Sequence, residues 1–295
     1  MKRFGLVFGC LVFLASTFAA FGQAPACAAT DYLCKITALN KAMQADPKDP
    51  ENYYNLALAY QNSGRYAEAV DMYGKYVAMP GLDTKYLADG YNNRGLALQL
   101  LKRFDLAFSD FDKAATLVPA SAKFVSNRGS ANVDLGRKDA AIADFTRSIS
   151  LDPKLTDSYL GRAHVYISLS RADEAVRDFT SAIALDPTDP ESFYNRAHML
   201  RQKGEYSKAI VDYDKYLSMM SGNATFLADG YLGRGLSHAR LGNNEQAIND
   251  FSRAIEYDPK RAAAYSARAL IYREQNKAAL AEADEKAAAS LAKPN

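Results

Sequence analysis

A chain of 295 residues holds one large domain or two ordinary ones, and with 48% apolar and 24% charged residues it has ample material for a packed core. Its 36 basic and 34 acidic residues leave a formal charge of +2, and two of the basic residues, Lys2 and Arg3, stand at the extreme N-terminus. A chain so near neutrality has no long-range field for a phosphate backbone or an anionic lipid surface, so nucleic acid is excluded as the expected partner.

In chain order, the first element is MKRFGLVFGCLVFLASTFAAFG, residues 1–22. A basic start, an apolar run from Phe4 to Phe21 and the small residues Ala20 and Gly22 have the layout of a signal peptide. The run is borderline in length for a membrane span, but its Ala/Gly-rich end and the lack of basic residues after it favour cleavage near Gly22 over an anchor. The expectation is an exported chain, periplasmic or secreted, with no transmembrane segment in its mature form. Cleavage would discard Cys10 and leave Cys27 and Cys34. An even pair in an oxidising compartment suggests a disulfide; two free thiols at a frayed N-terminus are the alternative.

Residues 23–49 form the next segment. Thr30 to Asp46 reads as one helix ending in Asp46-Pro47, like the second half of the units that follow, and is expected to cap their N-terminal side. From residue 50 the sequence is periodic. An alanine recurs at 69, 107, 141, 175, 209, 247 and 281, with a small residue twelve places before each and, in all but the last copy, an aromatic four places after. Prolines at 119, 153, 187 and 259 close four copies. Each copy divides into two amphipathic helices joined by a short turn, and in those four copies the proline ends the second helix, since it cannot continue one. The copies span 50–83, 88–121, 122–155, 156–189, 190–223, 228–261 and 262–293.

This pattern resembles the tetratricopeptide repeat, a 34-residue helix-turn-helix unit with small residues at its eighth and twentieth positions and proline near the thirty-second. The resemblance covers about residues 50 to 293. It implies an all-α superhelical solenoid whose first helices line a concave groove, each repeat contacting mainly its neighbours. It implies a non-enzymatic scaffold that binds a protein or peptide in that groove, without a cofactor or metal. The groove residues expected are Tyr54, Leu58, Asn92, Leu96, Ser126, Ser130, Leu160, His164, Tyr194, His198, Arg201, Leu232, Leu236 and Arg240, a mixture suited to an extended peptide or a partner helix. The fourth and fifth repeats are expected at the centre of the site. Tyr54 and Leu58 replace the polar clamp by which some relatives hold a C-terminal carboxylate, so that activity does not transfer.

Two repeats depart from the pattern. The first and fifth are each followed by four extra residues and carry Tyr76 and Tyr216 where other copies have Ala or Ser. Both lead into nearly identical text, Tyr86-Leu-Ala-Asp-Gly-Tyr91 and Phe226-Leu-Ala-Asp-Gly-Tyr231, which suggests duplication of a four-repeat block. The tyrosine is expected to wedge the next repeat outward, the extra residues bridging the gap. In the last copy Glu285 replaces the aromatic, as suits a terminal repeat facing water.

Six repeats carry an arginine at the seventh position and an aspartate sixteen residues later: Arg94 and Asp110, Arg128 and Asp144, Arg162 and Asp178, Arg196 and Asp212, Arg234 and Asp250, Arg268 and Asp284. Six equivalent copies do not make one active site, so each is expected to be an ion pair within its own repeat. The first repeat has Leu56 and Met72 there, so both charges disappear together. His164 and His198 occupy the same position in adjacent repeats, and a small-ligand or catalytic site around them is the competing function. Two imidazoles without a companion cysteine or carboxylate constellation are weak evidence for metal. The chain has no Gly-rich phosphate loop, no Gly-x-Ser-x-Gly and no His-Glu-x-x-His.

Overall fold

The computed structural model describes residues 27–292, so the segment read as a signal peptide, with Cys10, lies outside the described residues. An N-terminal helix, α1 (Tyr32–Ala45), precedes seven helix pairs. These are α2 (Pro50–Asn62) with α3 (Tyr66–Val77), α4 (Thr84–Leu100) with α5 (Phe104–Leu117), and α6 (Ala122–Asp134) with α7 (Lys138–Leu151). Then follow α8 (Thr156–Ser168) with α9 (Ala172–Leu185), α10 (Pro190–Gln202) with α11 (Tyr206–Met219), α12 (Ala224–Arg240) with α13 (Asn244–Tyr257), and α14 (Ala262–Glu274) with α15 (Ala278–Leu291). Each helix packs on its partner and on the next helix in sequence, and first helices of neighbouring repeats touch as well. The result is an all-α solenoid.

The periodic residues explain the helix pairing. Fully buried alanines such as Ala69, Ala107 and Ala175 bring the two helices of a repeat together, and the aromatic four residues on fills the space between them. At Gly95, Gly129 and Gly235 a Cβ would stand 2.8–3.0 Å from the ring of Phe111, Phe145 or Phe251, so the small residue is the seat of the aromatic. The turn inside each repeat places one residue at positive φ: Gly64, Lys102, Gly136, Ser170, Gly204, Gly242 and Asn276. That left-handed step ends the first helix and aims the chain back along it. Asp-Pro segments do the work between repeats. Asp46, Asp152, Asp186 and Asp258 each accept a backbone N–H two residues on. Asp49 and Asp189 cap helices that begin with proline.

The inserts do not form bridging loops. They become an extra helical turn, so α4 and α12 have 17 residues where α6, α8, α10 and α14 have 13. Nor does the tyrosine act as an outward wedge. Tyr76 and Tyr216 lie over Gly90 and Gly230, which lack the side chain that would collide with them, and each hydroxyl donates to the backbone carbonyl of Tyr86 or Phe226.

At the N-terminus Cys27 and Cys34 are joined by a disulfide, and Asp31 caps α1 by accepting the N–H of Cys34. At the other end Glu285 and Arg273 form a two-pronged exposed pair at 2.6 Å.

Candidate functional site

The first helices of successive repeats share one face: α4 touches α6, α6 touches α8, α10 touches α12 and α12 touches α14. Between α8 and α10 that face opens into a cleft of about 430 Å³. Thr156, Asp157, Leu160 and His164 line it from α8, the Asp186–Asp189 connection forms its floor, and Glu191, Ser192 and Asn195 line it from α10. Of the groove residues inferred from sequence, Leu160 and His164 lie in this cleft. The His164 ring packs edge-on against Phe179 at 5.7 Å, and burial holds its pKa below the usual imidazole range despite the opposing pull of Asp189.

Tyr194, His198 and Arg201 follow at helical spacing on α10 and form a neighbouring stripe outside the cleft lining. Burial lowers the His198 pKa, with the Arg201 charge adding to it. Tyr194 is a packed residue as much as a surface one. Its ring contacts Tyr213 at 6.0 Å and Tyr216 at 5.1 Å, and burial pushes its hydroxyl up to about 12. Tyr54 stands equivalently on Tyr73 and Tyr76, at 5.7 and 5.2 Å. Alanine at either tyrosine therefore removes core contacts along with groove surface. Leu58 and Arg240 are exposed; Leu96, Leu232 and Leu236 are half-buried.

Asn92 departs from its expected place in the groove. It is 1% exposed and serves as a stitch between repeats. Asn127 donates to its Oδ1 at 2.7 Å, its own amide donates to Asn93, and Asn93 donates to the Tyr54 hydroxyl at 2.7 Å. The chain runs from α2 through α4 to α6. Ser126 is likewise buried and accepts from Ser158, whose hydroxyl meets Ser148 at 2.7 Å. Short polar side chains at first-helix positions read in sequence like groove contacts, and only the repeat-to-repeat spacing shows that they satisfy one another.

The arginines and aspartates form bidentate pairs inside each of the six repeats. Arg162 Nε and Nη2 donate to the two carboxylate oxygens of Asp178, both at 2.8 Å, and the other five match within 2.6–3.0 Å. The aspartates are buried. The remaining nitrogen, Nη1, reaches back to the second helix of the preceding repeat, which the sequence did not suggest. Arg128 donates there to Asp112, Arg162 to Thr146, Arg196 to Thr180, Arg234 to Asp214 and Arg268 to Ser252. For Arg94 the corresponding residue is Gly74, whose Cβ would stand 3.6 Å from Nη1. All six arginines thus tie their own helices together, and all but Arg94 also tie their repeat to the one before.

Among the described residues no group of three or more His, Cys, Asp or Glu is arranged to hold a metal ion, and no helix is long and apolar enough to cross a membrane.

These features define an all-α repeat protein built around an open first-helix face. Tetratricopeptide-repeat profiles match residues 88–120, 122–155 and 156–189, and a second matches 38–71 and 179–211; a TPR-repeat profile matches 235–276. The chain belongs to the tetratricopeptide-repeat family. No curated protein matches it in sequence. Among solved structures, the C-terminal part of a TPR repeat-containing protein from Cytophaga hutchinsonii is 16% identical with a TM-score of 0.65, covering 81% of this chain and 95% of that one. A tetratricopeptide repeat protein from Parabacteroides merdae is 22% identical with a TM-score of 0.56, covering 82% and 92%. YrrB, a TPR protein with an unusual peptide-binding site, is 18% identical with a TM-score of 0.54, covering 78% and 96%. At these identities the likeness is one of fold.

Proposed function

We propose that the protein is an exported, non-catalytic scaffold that binds a protein or peptide partner along its first-helix face. The observation that carries this reading is the cleft between α8 and α10, open on the face where exposed Leu58 and Arg240 and half-buried His198 also stand. A surface of aliphatic, imidazole and guanidinium groups at helical spacing suits an extended chain or a helix laid along it. The peptide-binding site of YrrB supports the idea that such a solenoid serves this purpose. The disulfide between Cys27 and Cys34 fits an oxidising compartment, as does the signal-like N-terminus. The test is selection of binders from a displayed peptide library against the chain from residue 23. Leu160→Arg and Arg240→Glu should each weaken the selected peptides at least tenfold, Arg240→Glu with the melting temperature unchanged and Leu160→Arg with some loss, since Leu160 also packs on the core of its repeat. Binding that survives both places the site on the second helices and overturns the proposal. Sequencing the N-terminus of the exported protein tests cleavage near Gly22, and an intact Met1 excludes it.

A further inference from the structure

The two insert junctions contain the same group of side chains. Glu51, Tyr54, Tyr76, Asp89 and Gly90 at the first recur as Glu191, Tyr194, Tyr216, Asp229 and Gly230 at the second. In each, two tilted tyrosine rings meet at 5.2 or 5.1 Å, the outer ring rests on the glycine, and the aspartate just before that glycine is half-buried. Burial raises the pKa of both carboxyls.

The copies differ in their counter-charge. At the second junction the chain supplies its own guanidinium: Arg261 Nη1 forms an ion pair with Asp229 at 2.8 Å while its Nε donates to Asp258 at 3.1 Å. The positive charge of Arg261 also reaches Tyr194. At the first junction the residue in the place of Arg261 is Ser121, a short side chain that caps α6. Lys85 and Lys123 are the cations nearest Asp89; both are exposed and neither forms an ion pair with it. A half-buried carboxylate beside two aromatic rings is thereby left without the partner that its duplicate possesses. A guanidinium suits such a place, because its planar fork meets a carboxylate while its face lies against an aromatic ring.

We propose that the first junction receives an arginine side chain of the binding partner, which pairs with Asp89 beside Tyr54 and Tyr76 as Arg261 pairs with Asp229 at the second. This rests on the proposed partner-binding function and assigns it a chemistry: the partner presents an arginine to the groove between the first and second repeats.

The probe is a capped Gly-Arg-Gly peptide, titrated into the disulfide-bonded chain from residue 23 and followed by amide resonances in NMR. Asp89 and Gly90 should shift while Asp229 and Gly230 do not, and a peptide with citrulline in place of arginine should shift neither pair. Ser121→Arg, which supplies the missing guanidinium from within, should weaken the response at Asp89 at least tenfold. Asp89→Asn should do the same without touching the cap of α6. Arg261→Ser should open the second junction, so that both pairs respond. Failure of the wild-type resonances to move, an equal response to citrulline, or an undiminished response in both Ser121→Arg and Asp89→Asn overturns the assignment. Library peptides that bind the first-helix face without moving Asp89 overturn it too, and leave the groove function standing. Library peptides that bind only the second-helix face overturn both.

Discussion

The ring of Tyr76 occupies the space that a side chain on Gly90 would need: a Cβ there would stand 2.6 Å from Cε1 of the ring. Tyr216 and Gly230 repeat the arrangement at 2.7 Å. At the next junction the sizes are exchanged, with buried Ala114 and Phe124 in one cluster, and at the one after that Ser148 meets Ser158. Large faces small at the inserts, small faces large beside them, and the repeats stay in contact throughout.

Gly90→Ala should therefore destabilise the fold by about 1–3 kcal/mol, since the ring is tied through its hydroxyl to the Tyr86 carbonyl and cannot simply withdraw. Tyr76→Ala should cost about 3–5 kcal/mol. Combining Tyr76→Ala with Gly90→Phe copies the Ala114 and Phe124 arrangement and should recover part of that loss. Urea unfolding of the parent, Tyr76→Ala, Gly90→Phe and the double variant measures the coupling, and simple additivity would show that the two volumes are independent.

The arginine ladder makes a second quantitative claim. Asp178 is 5% exposed and holds two nitrogens of Arg162, while Thr146 of the preceding repeat takes the third. Removing Asp178 alone strands a largely buried guanidinium and should cost about 3–5 kcal/mol. Thr146→Ala should cost no more than about 1.5 kcal/mol, because the nitrogen it frees lies on the exposed side of the pair. Replacing Arg162 and Asp178 together by Leu and Met, the residues that the first repeat carries at Leu56 and Met72, should be milder than either single change. Equal losses in the double and single variants would refute the pairing.

The repeat was legible because its determinants are spaced by fixed numbers of residues. Alanines, aromatics and prolines in register specify the helix pairs, and the sixteen-residue offset of arginine and aspartate specifies a contact across one turn. Contacts between repeats are harder to read, because they depend on how two helices from different units approach. Asn92 illustrates this: its sequence position faces the groove side, yet Asn127 one repeat later closes over it. The added turns of α4 and α12 were hidden for another reason. A four-residue insertion is close to one helical turn, so it can extend a helix without disturbing its apolar stripe, and nothing in the text distinguishes that from a loop.

The turns inside the repeats carry a stability reserve. Lys102 sits at φ 59°, a left-handed position that Gly64 and Gly136 fill in the flanking repeats. A side chain there costs about 1–2 kcal/mol, partly offset by the greater freedom of glycine in the unfolded chain. Lys102→Gly should therefore raise stability by about 0.5–1 kcal/mol, while Gly64→Ala should lower it by about 1 kcal/mol or more. Thermal melting of both variants decides the point. A Lys102→Gly protein that melts earlier would show that the lysine contributes something its backbone cost conceals.

The last prediction concerns pH. Burial holds the pKa of His164 below its unfolded value near 6.5, and does the same to His198. Between the folded and unfolded values the unfolded chain binds more protons, so stability rises with pH across that interval. The contribution of the neutral imidazoles is thus fully present above about pH 6.5 and is lost as the pH falls through it toward the folded values. Asp89, Asp157, Glu191 and Asp229 shift the other way, since burial raises their carboxyl pKa, and so favour the folded chain at lower pH. Comparing pH 7.5 with pH 5.5 in the parent chain and in histidine variants separates the imidazoles from these carboxyls. The melting temperature should fall over that interval, and His164→Gln should reduce the fall, because glutamine keeps a polar group against Phe179 without a proton to gain. His198→Gln should act similarly, and the double variant should be the least sensitive of the set. An unchanged fall in the double variant would mean that acid destabilisation arises elsewhere than on the first-helix face.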